Sequence, residues 1–186
     1  DLYGWAAERP ELEIRGIDVH IGSQILDAEP YRRALAEVLS LARELRSKGI
    51  ALDFVDLGGG FGVGYGDEHG MPLQELADVV VSPVADMGLR LILEPGRFVV
   101  GEAGLLVTTV LYIKNAGAKT FVVTDGGMTD LIRPSHYQGF HRIEPVVSRE
   151  GARGTVVDVV GPICETGDFL ARDRELQLPV EGDLLA

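Results

Sequence analysis

The hydrophobic periodicity of this chain changes near residue 101, and few folds are compatible with such a change. Before that point, short apolar segments alternate with longer amphipathic ones. After it, the helical period disappears, and segments rich in Val, Thr and Ile are separated by turn residues. Strands that alternate with helices form parallel sheets, whereas short strands in succession form antiparallel ones. We therefore predict an α/β first part and an antiparallel β second part.

The sequence pattern of the first part predicts three strands separated by two helices. Apolar residues at spacings of three and four mark one face of the first helix, and they are Tyr31, Leu35, Val38, Ala42 and Leu45. Pro30 near its start and Gly49 just past its end are typical helix boundaries. The predicted strands cover residues 16–20, 52–57 and 89–93, and the second helix covers residues 72–87, where Pro83 is expected to introduce a kink.

The second part predicts strands at residues 105–114, 120–124 and 155–160. No internal repeat or flexible linker divides the chain, so the domain boundary rests on the change of period. Both ends are interpreted as cuts. The start has no initiator Met and is expected to enter a strand at once, and the end, LPVEGDLLA, stops in what resembles the middle of a β-hairpin.

Composition excludes several classes of partner. The 17 basic and 29 acidic residues give a net charge of −12, which disfavours nucleic acids and anionic membranes. One cysteine allows no internal disulfide and favours a reducing compartment. No apolar run of about 20 residues and no signal peptide is present, so we predict a cytoplasmic protein.

Unusual residues follow each predicted strand of the first part. The strands continue as HIGSQ at 20–24, GGGFG at 58–62 and EPGR at 94–97. Glycines let backbone N–H groups approach a phosphate, and active sites of β/α barrels lie at the carboxyl ends of the strands. The alternatives are a tight glycine turn and a structural ion pair between Glu94 and Arg97.

The only cysteine, Cys164, could be a small buried hydrophobic residue, but its neighbours Glu165 and Asp168 argue against apolar burial. The four histidines lack the spacing of a zinc site, so no metal is predicted. The polar segment after residue 124, which contains Arg133 and Tyr137, is either a solvated loop or part of a site.

Five motifs resemble, in order, those of the alanine-racemase-like (fold type III) pyridoxal-phosphate decarboxylases. They are HIGSQ at 20–24, DLGGGFG at 56–62, EPGR at 94–97, IRPSHY at 132–137 and GPICETGD at 161–168. Within the family, the chain is most similar to the carboxy-lyases that convert meso-2,6-diaminopimelate to L-lysine and CO₂, the last step of lysine biosynthesis.

The resemblance implies a fold as well as an activity. Residues 1–101 would be the C-terminal part of a (β/α)8 TIM-type barrel that binds pyridoxal 5'-phosphate. Residues 102–186 would be part of an antiparallel β-sandwich or β-barrel domain that carries the CETGD segment. A homodimer is implied as well, because in the family that segment reaches the active site of the second subunit.

The resemblance also assigns roles to individual residues. The cofactor would be bound by His20 against the ring, Glu94 at the ring nitrogen, and a phosphate-binding set of Ser23, Gly58, Gly59, Gly60, Gly96 and Arg97. The substrate would be bound by Arg97, Arg133 and Tyr137 at its far carboxylate and by Glu165 at its distal amino group. Cys164 would be catalytic, returning a proton to the substrate carbon.

Three departures from the family pattern stand out. Thr166 replaces a more usual serine and keeps its hydroxyl. The lysine that holds the cofactor covalently is expected on a strand upstream of His20, and Lys48, Lys114 and Lys119 are at no strand end of the predicted barrel. A tyrosine expected near the C-terminus is also missing. We therefore expect the 186 residues alone to have no decarboxylase activity.

Two other functions stay open. A sister decarboxylase for ornithine, arginine or carboxynorspermidine would share HIGSQ, GGG and EPGR, but it would not need Arg133 and Tyr137 for a second carboxylate. A catalytically dead homologue could instead bind a partner enzyme as a regulatory subunit. Retention of Glu94, Arg97 and Cys164 argues against that role.

Overall fold

The change of period corresponds to a division of the chain into two units, one ending at Ala103 and the other beginning at Gly104. The computed structural model describes residues 2–66, 68–149 and 154–186. We call the first unit the β/α unit and the second the sheet unit. Within the described residues, no helix is both long and apolar enough to span a bilayer.

The described part of the β/α unit contains three strands and four helices. In chain order they are α1 (Leu2–Ala7), β1 (Gly16–Asp18), α2 (Glu29–Ser47), β2 (Phe54–Asp56), α3 (Leu73–Asp86), β3 (Arg90–Ile92) and α4 (Arg97–Val100). The strands form one parallel sheet in the order β1-β2-β3, with Ile17 opposite Val55 and Val55 opposite Leu91. The predicted parallel strands and both predicted helices are confirmed.

The core of this unit lies between the sheet and one face of α2 and α3. All five residues predicted for the buried face of α2 are buried, together with Leu39. Pro30 lies in the first turn of α2, and Gly49 follows its end at φ 85°. Pro83 lies inside α3. The described residues of this unit contain three strands and no closed barrel, so the barrel assignment is still a proposal.

The N-terminal segment differs from the prediction. We expected a strand at once, but α1 precedes β1 and the intervening residues are irregular. Ala6 and Ala7 have high helix propensity, and the helix ends before Pro10, which disfavours helical conformation in the residue ahead of it.

Five strands and one short helix make up the described residues of the sheet unit. They are β4 (Thr108–Ala116), β5 (Lys119–Thr124), α5 (Arg133–Tyr137), β6 (Gly154–Val160), β7 (Phe169–Gln177) and β8 (Leu184–Leu185). The strand order is β7-β6-β5-β4-β8. Its core consists mainly of aliphatic side chains from the strands, among them Val110, Val122, Val157, Val159 and Leu176.

The prediction of an antiparallel domain is wrong for one pair of strands. β5 and β6 run parallel, with Val122 opposite Val159, while the other neighbouring pairs are antiparallel. A parallel pair requires a crossover of a dozen or more residues. The segment of residues 125–153 is long enough for such a crossover. It includes the helix α5, whereas the sequence analysis expected either a solvated loop or part of a site there.

Candidate functional site

The three predicted motifs of the β/α unit lie at one edge of its sheet, where the parallel strands end. Backbone hydrogen bonds continue the ladder beyond the strands, from Val19 N–H to Asp56 O (3.0 Å) and from Glu94 N–H to Gly58 O (2.8 Å). His20, the triple glycine and Glu94 are therefore neighbours. We call Gly58–Gly60 the triple-glycine turn.

The triple-glycine turn has no room for side chains. A Cβ atom on Gly59 would overlap the carbonyl oxygen of Glu94, and one on Gly60 would overlap that of Gly22. Gly60 also has φ 91°, which a residue with a side chain rarely adopts. Among the described residues, the N–H groups of Gly60 and Gly96 have no hydrogen-bond partner. The backbone here can therefore donate to an anion.

His20 lies beside this turn with an exposed side chain. Its Nδ1 accepts a hydrogen bond from the N–H of Gly59 at 3.3 Å. Below the turn, the hydroxyl of buried Tyr31 donates to Gly59 O at 2.8 Å. Tyr31 was predicted only as part of the helix face, and its support of the turn was missed.

Arg97 is oriented by a residue to which the sequence analysis gave no role. Its Nη1 donates to Gln24 Oε1 at 2.9 Å, and Gln24 Nε2 donates to Val63 O at 2.6 Å. No ion pair joins Arg97 to Glu94 in the part of the chain that the structure describes, so a structural ion pair does not explain EPGR. The exposed carboxylate of Glu94 has no hydrogen-bond partner there either.

The donors at this edge suit a phosphate. The hydroxyl of Ser23, the free N–H groups of Gly60 and Gly96 and the guanidinium of Arg97 supply neutral and charged hydrogen bonds without a metal. No cluster of three or more potential metal ligands occurs among the residues that the structure describes.

The sheet unit brings the other two motifs together through its parallel strand pair. The loops after β5 and β6 leave the same edge of the sheet. The single hydroxyl proton of Thr124 is shared between Gly126 O (2.8 Å from Oγ1) and Val160 O (3.2 Å), which joins the ends of the two strands. We call residues 161–168 the Cys164 loop. A side chain on Gly167 would come within 2.9 Å of Ser135 Oγ, so α5 lies against this loop.

Cys164 is exposed and its thiol is free, as is expected of a reactive cysteine more than of a core residue. The Cys164 loop forms one side of a cleft of about 760 Å³. Lys114, Lys119 and Arg172 also line this cleft, together with the carboxylates of Asp158, Glu165 and Asp168, so its lining carries charges of both signs.

Arg133 and Tyr137 lie four residues apart in α5 and therefore share one face of it. Nη1 of Arg133 lies 2.9 Å from Nε2 of His141, and the exposed ring of Tyr137 meets His136 edge-on. His141 is held in turn by Arg174, which donates to its carbonyl oxygen at 2.7 Å. Burial lowers the pKa of Arg174.

One buried carboxylate near the cleft was also missed. Burial acts to raise the pKa of Asp158, but hydrogen bonds from the Asp173 N–H (2.7 Å) and from Lys119 Nζ (2.7 Å) outweigh it, and the pKa is lowered. The sequence signal that could have identified Asp158 as a buried carboxylate is its position within the apolar run TVVDVV. Lys119 is held here, and Lys48 pairs with Glu44 on α2, so neither is at a strand end of the β/α unit.

The chain is similar along its whole length to known proteins. A curated relative from Aquifex aeolicus, named diaminopimelate decarboxylase, is 48% identical over 185 residues, which is 99% of this chain and 44% of the relative. A second relative of that name, from Neisseria meningitidis serogroup B, is 46% identical over 100% of this chain and 44% of the relative. The chain thus spans less than half the length of these relatives.

Solved structures give the same result. A crystal structure from Aquifex aeolicus matches with a TM-score of 0.94 at 47% identity, covering 98% of this chain and 45% of that one. The crystal structure of diaminopimelate decarboxylase from Helicobacter pylori, complexed with L-lysine, matches with a TM-score of 0.91 at 39% identity, covering 99% and 45%. The family model described as pyridoxal-dependent decarboxylase, C-terminal sheet domain, matches residues 24–186, and the chain therefore belongs to the pyridoxal-dependent decarboxylase family.

Proposed function

We propose that this chain is part of a carboxy-lyase that removes one carboxylate from meso-2,6-diaminopimelate and releases L-lysine and CO₂. The observation that carries this proposal is the similarity along the whole chain, at 48% identity, to a relative named diaminopimelate decarboxylase. The geometry of the two units supports it, since each unit gathers its share of the expected site residues at one edge of its sheet.

The proposed fold of the parent is a (β/α)8 barrel, with residues 1–101 as its C-terminal part, followed by a β domain that includes residues 102–186. The parallel order β1-β2-β3 supports the barrel, because β1 and β3 each have one unpaired edge among the described strands. Further β/α units could pair with these edges and close the sheet.

Pyridoxal 5'-phosphate fits the residues of the β/α unit. Its phosphate would be held by the triple-glycine turn, which has no room for side chains, and by Gly96, Ser23 and Arg97. Among the described residues, the N–H groups of Gly60 and Gly96 are free to donate to it. His20 would lie against the ring, and the unpaired Glu94 carboxylate would keep the ring nitrogen protonated. When bound, this cofactor accepts the electrons that decarboxylation releases.

Substrate recognition would fall to cationic and acidic side chains of the chain itself. Arg133 would bind the far carboxylate with its planar guanidinium, assisted by Arg97 and the hydroxyl of Tyr137. Glu165 would bind the distal ammonium. Cys164, whose thiol is exposed on its loop, would return a proton to the substrate carbon.

The complete enzyme is proposed to be a cytoplasmic homodimer in which the Cys164 loop reaches the cofactor of the partner subunit. The lysine that binds the cofactor covalently is proposed to belong to a segment outside these 186 residues. Lys48 pairs with Glu44 on α2, and Lys114 and Lys119 belong to β4 and β5 of the sheet unit. The isolated chain is accordingly expected to release no lysine from diaminopimelate.

The experiment extends the chain at both ends to the length of its relatives and supplies pyridoxal phosphate. Release of CO₂ and product identity are measured separately with meso-diaminopimelate, L-ornithine and L-arginine. Lysine formed from diaminopimelate alone supports the proposal. Turnover of ornithine or arginine instead would identify a sister decarboxylase, and no turnover of any substrate would favour a regulatory homologue.

A matched pair of variants tests the carboxylate role of Arg133. Arg133→Gln should raise the KM for diaminopimelate about tenfold to a hundredfold, because a charge-assisted hydrogen bond contributes about 1.5–3 kcal/mol. Arg142→Gln removes the same charge from an exposed residue that pairs with Glu144, and it should leave the KM unchanged. Equal KM values for the two variants would exclude Arg133 from substrate binding.

A further inference from the structure

One buried carboxylate, that of Asp168, joins the two loops that leave the parallel strand pair. Only 4% of Asp168 is exposed. Its Oδ1 accepts a hydrogen bond from the N–H of Met128 at 2.7 Å, and its Oδ2 accepts one from the N–H of Ile163 at 2.6 Å. Met128 follows β5 and Ile163 follows β6, so a single side chain fixes one loop against the other.

The space around this carboxylate is kept free by two glycines. A Cβ atom on Gly161 would overlap both carboxylate oxygens, and one on Gly127 would overlap Oδ1. The N–H of Gly161 also donates to the backbone oxygen of Asp168 at 3.1 Å, which closes the Cys164 loop at its base. Neither glycine could become alanine without displacing the carboxylate.

The partners of Asp168 indicate positioning more than charge neutralisation. Among the described residues, no lysine or arginine forms an ion pair with it, although an unpaired buried carboxylate is costly. Two backbone N–H groups compensate instead, and such bonds to a charged acceptor are strong and directional. The side chain thus sets the backbone at Ile163, the residue immediately before Cys164.

We propose that Asp168 is a positioning residue, which fixes the direction in which the Cys164 thiol and the Glu165 carboxylate leave their loop. The part of this inference that concerns catalysis rests on the function proposed above. The anchoring of the loop is a property of the 186-residue chain and can be tested without turnover.

The first test is amide hydrogen exchange in the 186-residue chain with Asp168→Asn. Asparagine keeps the size of the side chain, but it presents an NH₂ group to one of the two N–H donors. Exchange at Ile163 or Met128, or both, should become about tenfold to a hundredfold faster. Val122 and Val159, in the strands of the core, should keep their protection, which excludes general unfolding.

Asp183→Asn is the matched control. Asp183 also accepts a backbone hydrogen bond, from the N–H of Val180 at 2.8 Å, but in the turn before β8. This variant should speed exchange at Val180 and leave Ile163 unchanged. Unchanged exchange at both Met128 and Ile163 in Asp168→Asn would overturn the anchoring.

The second test uses the enzyme extended to the length of its relatives. Asp168→Asn should lower kcat about tenfold to a hundredfold, the effect of a small misplacement of a reacting group. In a Cys164→Ala background it should lower kcat no further, because its effect on kcat acts through Cys164, whereas an effect through Glu165 on the distal ammonium should change KM. Equal losses in both backgrounds would overturn the positioning role. A parent enzyme without turnover would refute the proposed function, while the exchange data would still decide the anchoring.

Discussion

Replacing Tyr31 with phenylalanine would remove a single hydroxyl from beneath the triple-glycine turn. Tyr31 is 1% exposed, its hydroxyl donates to Gly59 O at 2.8 Å, and its ring packs at a tilt against Phe61 with centroids 5.3 Å apart. The phenyl ring can keep these packing contacts. The substitution therefore isolates one hydrogen bond between the core and the candidate phosphate site.

The expected loss follows from burial of the acceptor. Gly59 is itself buried, so its carbonyl oxygen cannot turn to water when the hydroxyl is gone. Leaving a buried acceptor without a donor costs about 1–3 kcal/mol. We expect Tyr31→Phe to lower the free energy of unfolding of the β/α unit by that amount near neutral pH.

The titration of Tyr31 should also make stability depend on pH at high pH. Burial raises the pKa of Tyr31 from 10.0 to about 12. Between these values the unfolded chain has lost the phenolic proton and the folded chain keeps it. The protonated hydroxyl therefore contributes to the free energy of unfolding. This contribution is fully present below the pKa of the unfolded state and is lost as the pH rises through the pKa of the folded state, about 3 kcal/mol in all. Tyr31→Phe lacks this dependence.

Urea unfolding followed by tryptophan fluorescence measures both effects, because Trp5 is the only tryptophan and lies in the β/α unit. The control is Tyr112→Phe, which removes a hydroxyl from a tyrosine that is 47% exposed. If Tyr31→Phe matches that control near neutral pH, the hydrogen bond is not important. If the free energy of unfolding of Tyr31→Phe falls as steeply between about pH 9 and pH 11.5 as that of the unsubstituted chain, the reasoning on the pKa of Tyr31 is refuted.

Two further substitutions test the site and the cleft. Gly59→Ala should destabilise the β/α unit by at least about 2 kcal/mol, because its Cβ would overlap the Glu94 carbonyl oxygen. A Cβ on Gly104 would meet open space, so Gly104→Ala should change the free energy of unfolding by less than about 0.5 kcal/mol in the same urea assay. Asp158→Asn should flatten the acid limb of a stability titration. Because the pKa of Asp158 is lowered in the folded chain, its contribution is present above its ordinary value and is lost as the pH falls below it, and a variant with an unchanged acid limb would contradict this.

Much of the β/α unit could be predicted because its signals are local. The buried face of α2 follows from residues spaced by three and four, and its end follows from Gly49 at φ 85°. The identification of the family depended on the order of the five motifs along the chain. That order could be found without any contact between them.

The sheet unit was harder to predict because hydrophobic periodicity does not determine the direction of a strand. A run such as residues 155–160 favours a strand, yet the same alternation suits a parallel or an antiparallel neighbour. The length of residues 125–153 was the one available sign of a crossover. Missing that sign meant that the adjacency of α5 to the Cys164 loop was missed as well.

The sequence by itself determined the three parallel strands and the two long helices of the β/α unit, the glycine-rich strand ends and the family. The tertiary structure alone decided which side chains support those motifs: Tyr31 beneath Gly59, Gln24 beside Arg97, and Asp168 against Met128. The physical reason is range. Helix faces and turns depend on neighbours within a few residues, whereas these hydrogen bonds join residues 28, 73 and 40 positions apart, and only strand pairing brings such residues together.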